Sequence, residues 1–243
     1  MDTIEPTRNK WEYTDHNAAQ LSIRKPQQKE MLWGGRKLIG RDTPINKGVF
    51  ATLGIEEAIV VDDEKDPHLN QTYQELINIR KRAQERGYRF KDGLLVDIYN
   101  LVSKKIPYNL HRSEQIRVKT IDKKIILSAF FGGGVCRHQA LLTGYLIERL
   151  VREGYLKGKV SIDSNQKLNS KESGHAWVRY TNSQGKIIII DTAQGFLGYL
   201  EEARKNNRAW PYERPEDRGK YSPERHRNIS QGVFNGTKNQ RPI

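Results

Sequence analysis

The chain has 243 residues, enough for one large domain or two small ones, and 36% hydrophobic with 29% charged residues is a globular, polar-surfaced composition. No stretch approaches the roughly 18 apolar residues that span a bilayer, and the start Met1-Asp2-Thr3-Ile4-Glu5-Pro6 lacks the basic and apolar regions of a secretory signal. One cysteine excludes an intramolecular disulfide framework, so a cytoplasmic setting is expected, although non-classical export would leave no such mark.

Residues 1–65 read as an N-terminal arm or subdomain of unknown role. They hold Trp11, Trp33, the turn-rich Gly34-Gly35 and Gly40-Arg41-Asp42-Thr43-Pro44, and one strand-like run, Ala58-Ile59-Val60-Val61. Asp66-Pro67 then reads as a helix start, with Asp as cap and Pro at the first position. Leu69, Tyr73, Leu76, Ile77, Arg80 and Ala83 follow at helical spacing, and Gly87 is the stop. A second helix starts at Asp92, buries Leu94, Leu95, Ile98, Leu101 and Val102, and ends before Pro107. Leu110–Thr120 reads as a polar loop. Ile125–Phe131 is a short apolar segment for which helix and strand both remain open. A third helix follows Cys136, with Ala140, Leu141, Tyr145, Leu146 and Leu150 at core spacing, ending near Gly154. Val160-Ser161-Ile162 reads as a strand and Ser164–Ser173 as a polar loop. His175–Tyr180 and Lys186–Asp191 form a hairpin about Thr181–Gly185. Beyond residue 212 the chain turns polar, and 213–243 reads as a tail. The main domain is then 66–212, of α+β class.

The single cysteine lies in Phe131-Gly132-Gly133-Gly134-Val135-Cys136-Arg137-His138-Gln139-Ala140. A thiolate, rather than a thiol, is the nucleophile, and a helix N-terminus favours it through the dipole and unpaired N–H groups. The glycines leave room for a substrate carbonyl, and the Cys136 N–H is placed to stabilise an oxyanion. His175, 39 residues on, would pair with the thiolate and protonate the leaving amine; Asp191, 16 further, would orient it. If both lie on neighbouring strands, they reach each other across the ladder. Each residue alone has a structural reading: an inert buried thiol, a core imidazole, a turn-forming carboxylate. Their order and flanking glycines together favour the catalytic one. His138, about 200° around the helix from Cys136, is expected to be structural. Tyr108, Asn109, Gln139, Gly134 and Trp177 are candidates for the oxyanion site or the substrate wall. No cysteine–histidine spacing calls for a metal, and no cofactor is expected.

Gly134-Val135-Cys136-Arg137-His138-Gln139-Ala140-Leu141-Leu142, His175-Ala176-Trp177-Val178 and Ile190-Asp191-Thr192 resemble the three signature blocks of transglutaminase-like proteins. Val102-Ser103-Lys104-Lys105-Ile106-Pro107-Tyr108 is similar to the preamble of that family, and the likeness covers roughly residues 92 to 200. It implies a papain-like fold in which a cysteine-bearing helix packs on an antiparallel sheet bearing histidine and aspartate. It also implies Cys136 as nucleophile, His175 as base and Asp191 as orienting acid. The family often has proline after the aspartate, where this chain has Thr192, and the segment before His175 is polar.

Three functions compete. A cysteine-nucleophile enzyme would act on a protein or peptide amide through a thioester, with hydrolysis (protease, amidase or deamidase) preferred to crosslinking. A non-catalytic basic module on the same scaffold would bind a polyanion or acidic protein. A nucleic-acid binder rests on the net charge of +13 alone. The basic residues are densest at Arg80, Lys81, Arg82, Arg86, Arg89 and Lys91, without helix-turn-helix, zinc-finger or RNA-binding aromatic signatures.

Overall fold

A computed structural model describes residues 32–52, 57–120, 124–165, 174–205 and 212–217. Trp11, most of the polar 164–173 loop and the tail beyond 217 lie outside the described residues. The fold is α+β, with separate small sheets and helices rather than an alternating βα pattern.

The chain enters through a two-residue-strand hairpin, β1 (Leu32–Trp33) and β2 (Arg36–Lys37), turning on Gly34 and Gly35 with φ of +55° and +79°. β3 (Gly48–Thr52) and β4 (Glu57–Val61) pair antiparallel, and β5 (Lys124–Ile126) adds parallel to β4. The expected strand at Ala58–Val61 is therefore the centre of a three-stranded sheet. Ile39, Ile45, Phe50, Ile59 and Val61 share one hydrophobic core with the helices that follow, so β3 and β4 are built into the domain.

α1 (Pro67–Glu85) buries Leu69, Tyr73, Leu76, Ile77 and Arg80, the stripe that its sequence spacing predicts. It ends at Gly87 (φ +88°), whose N–H donates to the Gln84 carbonyl at 2.8 Å. The expected cap is different. Asp66 makes no side-chain bond to its own helix; its carboxylate accepts the Ser128 N–H at 3.0 Å. α2 (Leu94–Lys105) starts two residues after Asp92, because Gly93 at φ +72° supplies the turn into it. Leu110–Thr120 is a correction. It forms α3 (Leu110–Lys119), capped by the Asn109 side chain, which accepts the Arg112 N–H at 2.9 Å. Ser113 is its one buried residue, so there was no apolar stripe to read. The segment after it divides into β5 and a 3-10 turn, Leu127–Phe130.

α4 (Cys136–Arg152) is the most buried helix and packs on the second sheet. That sheet is an antiparallel meander of β6 (Gly158–Ser164), β7 (Ala176–Asn182), β8 (Ile187–Asp191) and β9 (Phe196–Tyr199). Gly144 permits the approach: a Cβ there would stand 2.6 Å from Ile162 Cδ1 and 2.7 Å from Ile45 Cδ1. Ala176, Val178, Tyr180, Ile188 and Ile190 join α4 in the core. β9 was not expected from the sequence.

The chain divides into two compact units, one through Tyr199 and one from Leu200. In the second, α5 (Leu200–Lys205) precedes a 3-10 turn at Pro215–Asp217. Arg204 bonds Glu213 and the Asp217 carbonyl, the latter at 3.0 Å. No helix among the described residues is long and apolar enough to cross a membrane.

Candidate active site

Cys136 begins α4, partly exposed, after a glycine run that leaves no slack. Gly132 N–H donates to the Lys105 carbonyl (2.7 Å), Gly134 N–H to the Pro107 carbonyl (3.0 Å), and Asn109 N–H to the Gly134 carbonyl (2.6 Å). A Cβ on Gly133 would meet Arg112 Cδ at 2.4 Å, and one on Gly134 would meet Ile106 Cγ2 at 2.6 Å. These glycines thus serve close packing against residues 105–112, whereas the sequence reading assigned them to substrate access.

His175 stands immediately before β7 and Asp191 ends β8, two strands whose ladder runs through Val178 opposite Ile190. His175 Nε2 meets Asp191 Oδ2 at 2.5 Å, and both groups are buried. The Gln194 N–H donates to Asp191 Oδ1 at 3.1 Å, holding the carboxylate from behind. With Nε2 committed to Asp191, Nδ1 is the nitrogen left for the Cys136 thiol, which is hydrogen-bonded to His175. The structure thereby brings together the thiol, the imidazole and the carboxylate singled out from sequence.

Their electrostatics are mutually reinforcing. Burial pushes the Cys136 thiol up, but the His175 hydrogen bond and charge, the Ala176 N–H and Arg137 outweigh it and hold the thiol below its ordinary value. Burial pulls His175 down, while Asp191 and then Cys136 overcome it and raise the imidazole to about 9. Both shifts run toward the charged form of each group, the thiol downward and the imidazole upward.

A narrow cleft reaches the pair, walled by Phe50 of β3, Arg137, Ser164, Gly174 and Ala176. Phe50 belongs to the stretch that the sequence left without a role. None of the other candidates lines this cleft. Gln139 Nε2 donates to the buried Ile106 carbonyl at 2.7 Å. Asn109 caps α3 and Tyr108 is 60% exposed, its backbone bridged to Gly134. Trp177 is buried with its ring 6.0 Å from that of His175, at 28°, so it flanks the imidazole inside the protein.

Sequence reasoning missed Glu57 and Tyr99. Glu57 Oε2 holds the Arg137 guanidinium at 2.5 Å and 2.6 Å, from a strand 80 residues away in sequence. Tyr99, on α2, has its hydroxyl pushed up by burial and then by the Asp191 charge. No local signal marks either one. Among the described residues no group of three or more His, Cys, Asp or Glu is arranged to hold a metal ion. No family model matches the chain, and no curated protein or solved structure matches it significantly.

Proposed function

We propose that this protein is a cysteine-nucleophile acyl-transfer enzyme acting on amide bonds, built on a papain-like core of the transglutaminase-like kind. The carrying observation is the chain of contacts from Cys136 at a helix N-terminus through His175 to Asp191 Oδ2. Cys136 Sγ attacks the amide carbonyl carbon, forming a C–S bond and a tetrahedral oxyanion beside the α4 N-terminus. His175 then gives its proton to the leaving nitrogen as the C–N bond breaks, and a thioester remains. Water attacks the thioester, His175 takes its proton, and a carboxylic acid leaves as the thiol is restored. Asp191 keeps the imidazole in the orientation and tautomer that serve both halves. Hydrolysis is preferred to crosslinking, because water needs no second binding site.

The test is alkylation of Cys136 by iodoacetamide against pH, followed by intact mass, in wild type and His175→Ala. The expected result is one adduct that forms well below the ordinary thiol value of about 8.5, with that acid reactivity lost in the variant. Slow alkylation confined to alkaline pH and indifferent to His175 would sink the reading.

A second reading, a basic binding module, is favoured by one feature away from the cleft. A groove of about 460 Å³ is lined by Arg80, Arg82, Arg86 and Tyr88, together with Asp92 and Asp97. Arg80 is spent on Asp97 at 2.5 Å and on the Arg89 and Phe90 carbonyls. Arg82 and Arg86 make no ion pair among the described residues. This reading expects polyanion binding that weakens steeply with salt and survives Cys136→Ala.

A further inference from the structure

We propose that His138, backed by Glu57, is a positioning residue that fixes the peptide carrying the Cys136 nucleophile; this rests on the reading of Cys136 given above. The N–H groups leading to the thiol are all committed. Gly133 N–H donates to the Phe130 carbonyl at 3.1 Å, Gly134 N–H to Pro107 at 3.0 Å, and Val135 N–H to His138 Nδ1 at 2.9 Å. The His138 and Gln139 amides in turn donate to the Val135 carbonyl, at 3.0 Å and 3.2 Å. Val135 is therefore held at both its N–H and its carbonyl, directly before Cys136. The bond at its N–H comes from a side chain three residues into the helix, reaching back as the glutamate of a capping box does.

An Nδ1 that accepts from Val135 must carry no proton, so the proton of the neutral ring sits on Nε2. Nε2 faces Glu57 Oε1 at 3.5 Å, and both side chains are fully buried. Phe130 lies parallel to the imidazole at a centroid distance of 3.5 Å, and Arg137 holds the other Glu57 oxygen. Gly134 is part of the device, because a Cβ there would stand 3.0 Å from His138 Nδ1. The ring thus faces a carboxylate across 3.5 Å on one edge, packs on an aromatic at one face, and accepts one hydrogen bond from the nucleophile's peptide. A core imidazole needs no such alignment, and packing alone would be served as well by a phenyl ring.

Substitution separates the two roles. His138→Phe keeps a ring against Phe130 but has no acceptor, whereas the Oδ1 of His138→Asn stands where Nδ1 stood. Amide hydrogen exchange at Val135 and the pH profile of Cys136 alkylation are measured on both, with circular dichroism as the check of folding. Folded His138→Phe is expected to lose Val135 protection and to alkylate roughly tenfold more slowly at pH 6, with the acid limb moved upward; His138→Asn is expected to recover most of the rate. A folded His138→Phe whose Val135 protection and profile match wild type overturns the proposal and leaves the nucleophile reading intact. A wild type without acid-shifted alkylation overturns both. Should His138→Phe fail to fold, His138→Leu decides, since it keeps an apolar side chain at this buried position and offers Val135 no acceptor. Wild-type exchange and reactivity in folded His138→Leu would overturn the proposal equally.

Discussion

His138 and His175 are both buried and both face a carboxylate, yet they hold opposite charge states. His175 meets Asp191 at 2.5 Å and hydrogen-bonds the thiol, and it is raised to about 9. His138 stands 3.5 Å from Glu57, and burial, reinforced by Arg137, drives it down to about 4. Burial alone would neutralise both rings. The difference lies in what else each carboxylate serves. Asp191 meets its imidazole at hydrogen-bond distance and also accepts the Gln194 N–H, whereas Glu57 stands 3.5 Å from His138 and holds the Arg137 guanidinium.

The most disruptive way to break this contrast is to remove Glu57. Glu57→Ala leaves Arg137 largely buried without its partner, and such a loss costs on the order of 3–5 kcal/mol. Urea denaturation measures it, and Glu57→Leu combined with Arg137→Leu is expected to recover most of the loss. Arg137→Leu alone sharpens the comparison: with Glu57 no longer shared, the His138 pKa should climb from about 4 toward the behaviour of His175. An NMR titration of the ring that leaves His138 unmoved would show that Arg137 has no part in the difference.

Next in size is the kinetic effect at the other histidine. His175→Ala should cut alkylation of Cys136 at pH 6 by roughly 10²–10³-fold, the scale of a lost base or ion pair. Asp191→Asn should cut it less, because the imidazole remains beside the thiol. Equal rates for wild type and His175→Ala across pH 5–9 would remove the distinction between the two rings.

The same two shifts shape stability against pH in opposite senses. Folded His175, at about 9 against an ordinary 6.5, binds its proton more tightly than the unfolded chain does. Its contribution is fully present below pH 6.5 and is lost as pH rises toward 9. Folded His138, at about 4, binds its proton more weakly than the unfolded chain, so stability falls as pH drops from 6.5 to 4. Each limb is worth on the order of 3 kcal/mol. Unfolding midpoints across pH 4–9 should therefore lose slope on the acid side in His138→Asn and on the alkaline side in His175→Gln. Parallel profiles in all three proteins would contradict this account.

How much of this was legible in the sequence follows from the range of the signals. The stripes of α1, α2 and α4 and the β7–β8 hairpin are local patterns of period 3.6 or 2, and they read through directly. Cys136, His175 and Asp191 stood out because a lone thiol after a glycine run, an imidazole before a strand and a carboxylate ending one are chemically distinctive in their local setting. α3 was hidden because a helix with one buried residue has no stripe, and Asn109 was its only cue. Glu57 was hidden for a different reason. A carboxylate in an apolar strand has meaning only through Arg137 and His138, which the fold brings to it across 80 residues.

Asn109 yields the smallest effect and the sharpest division of labour. Its side chain accepts the Arg112 N–H at 2.9 Å, while its own N–H, which any residue would keep, holds the Gly134 carbonyl at 2.6 Å. Asn109→Ala removes the first bond and leaves the second, so it should cost about 1 kcal/mol of stability, as lost helix caps do. The glycine run, His138 and the thiol behind it should stay in place, and the alkylation profile of Cys136 should superimpose on that of wild type. A variant of nearly wild-type stability with slowed alkylation would instead put the Asn109 side chain in the reaction, the role the sequence first offered it.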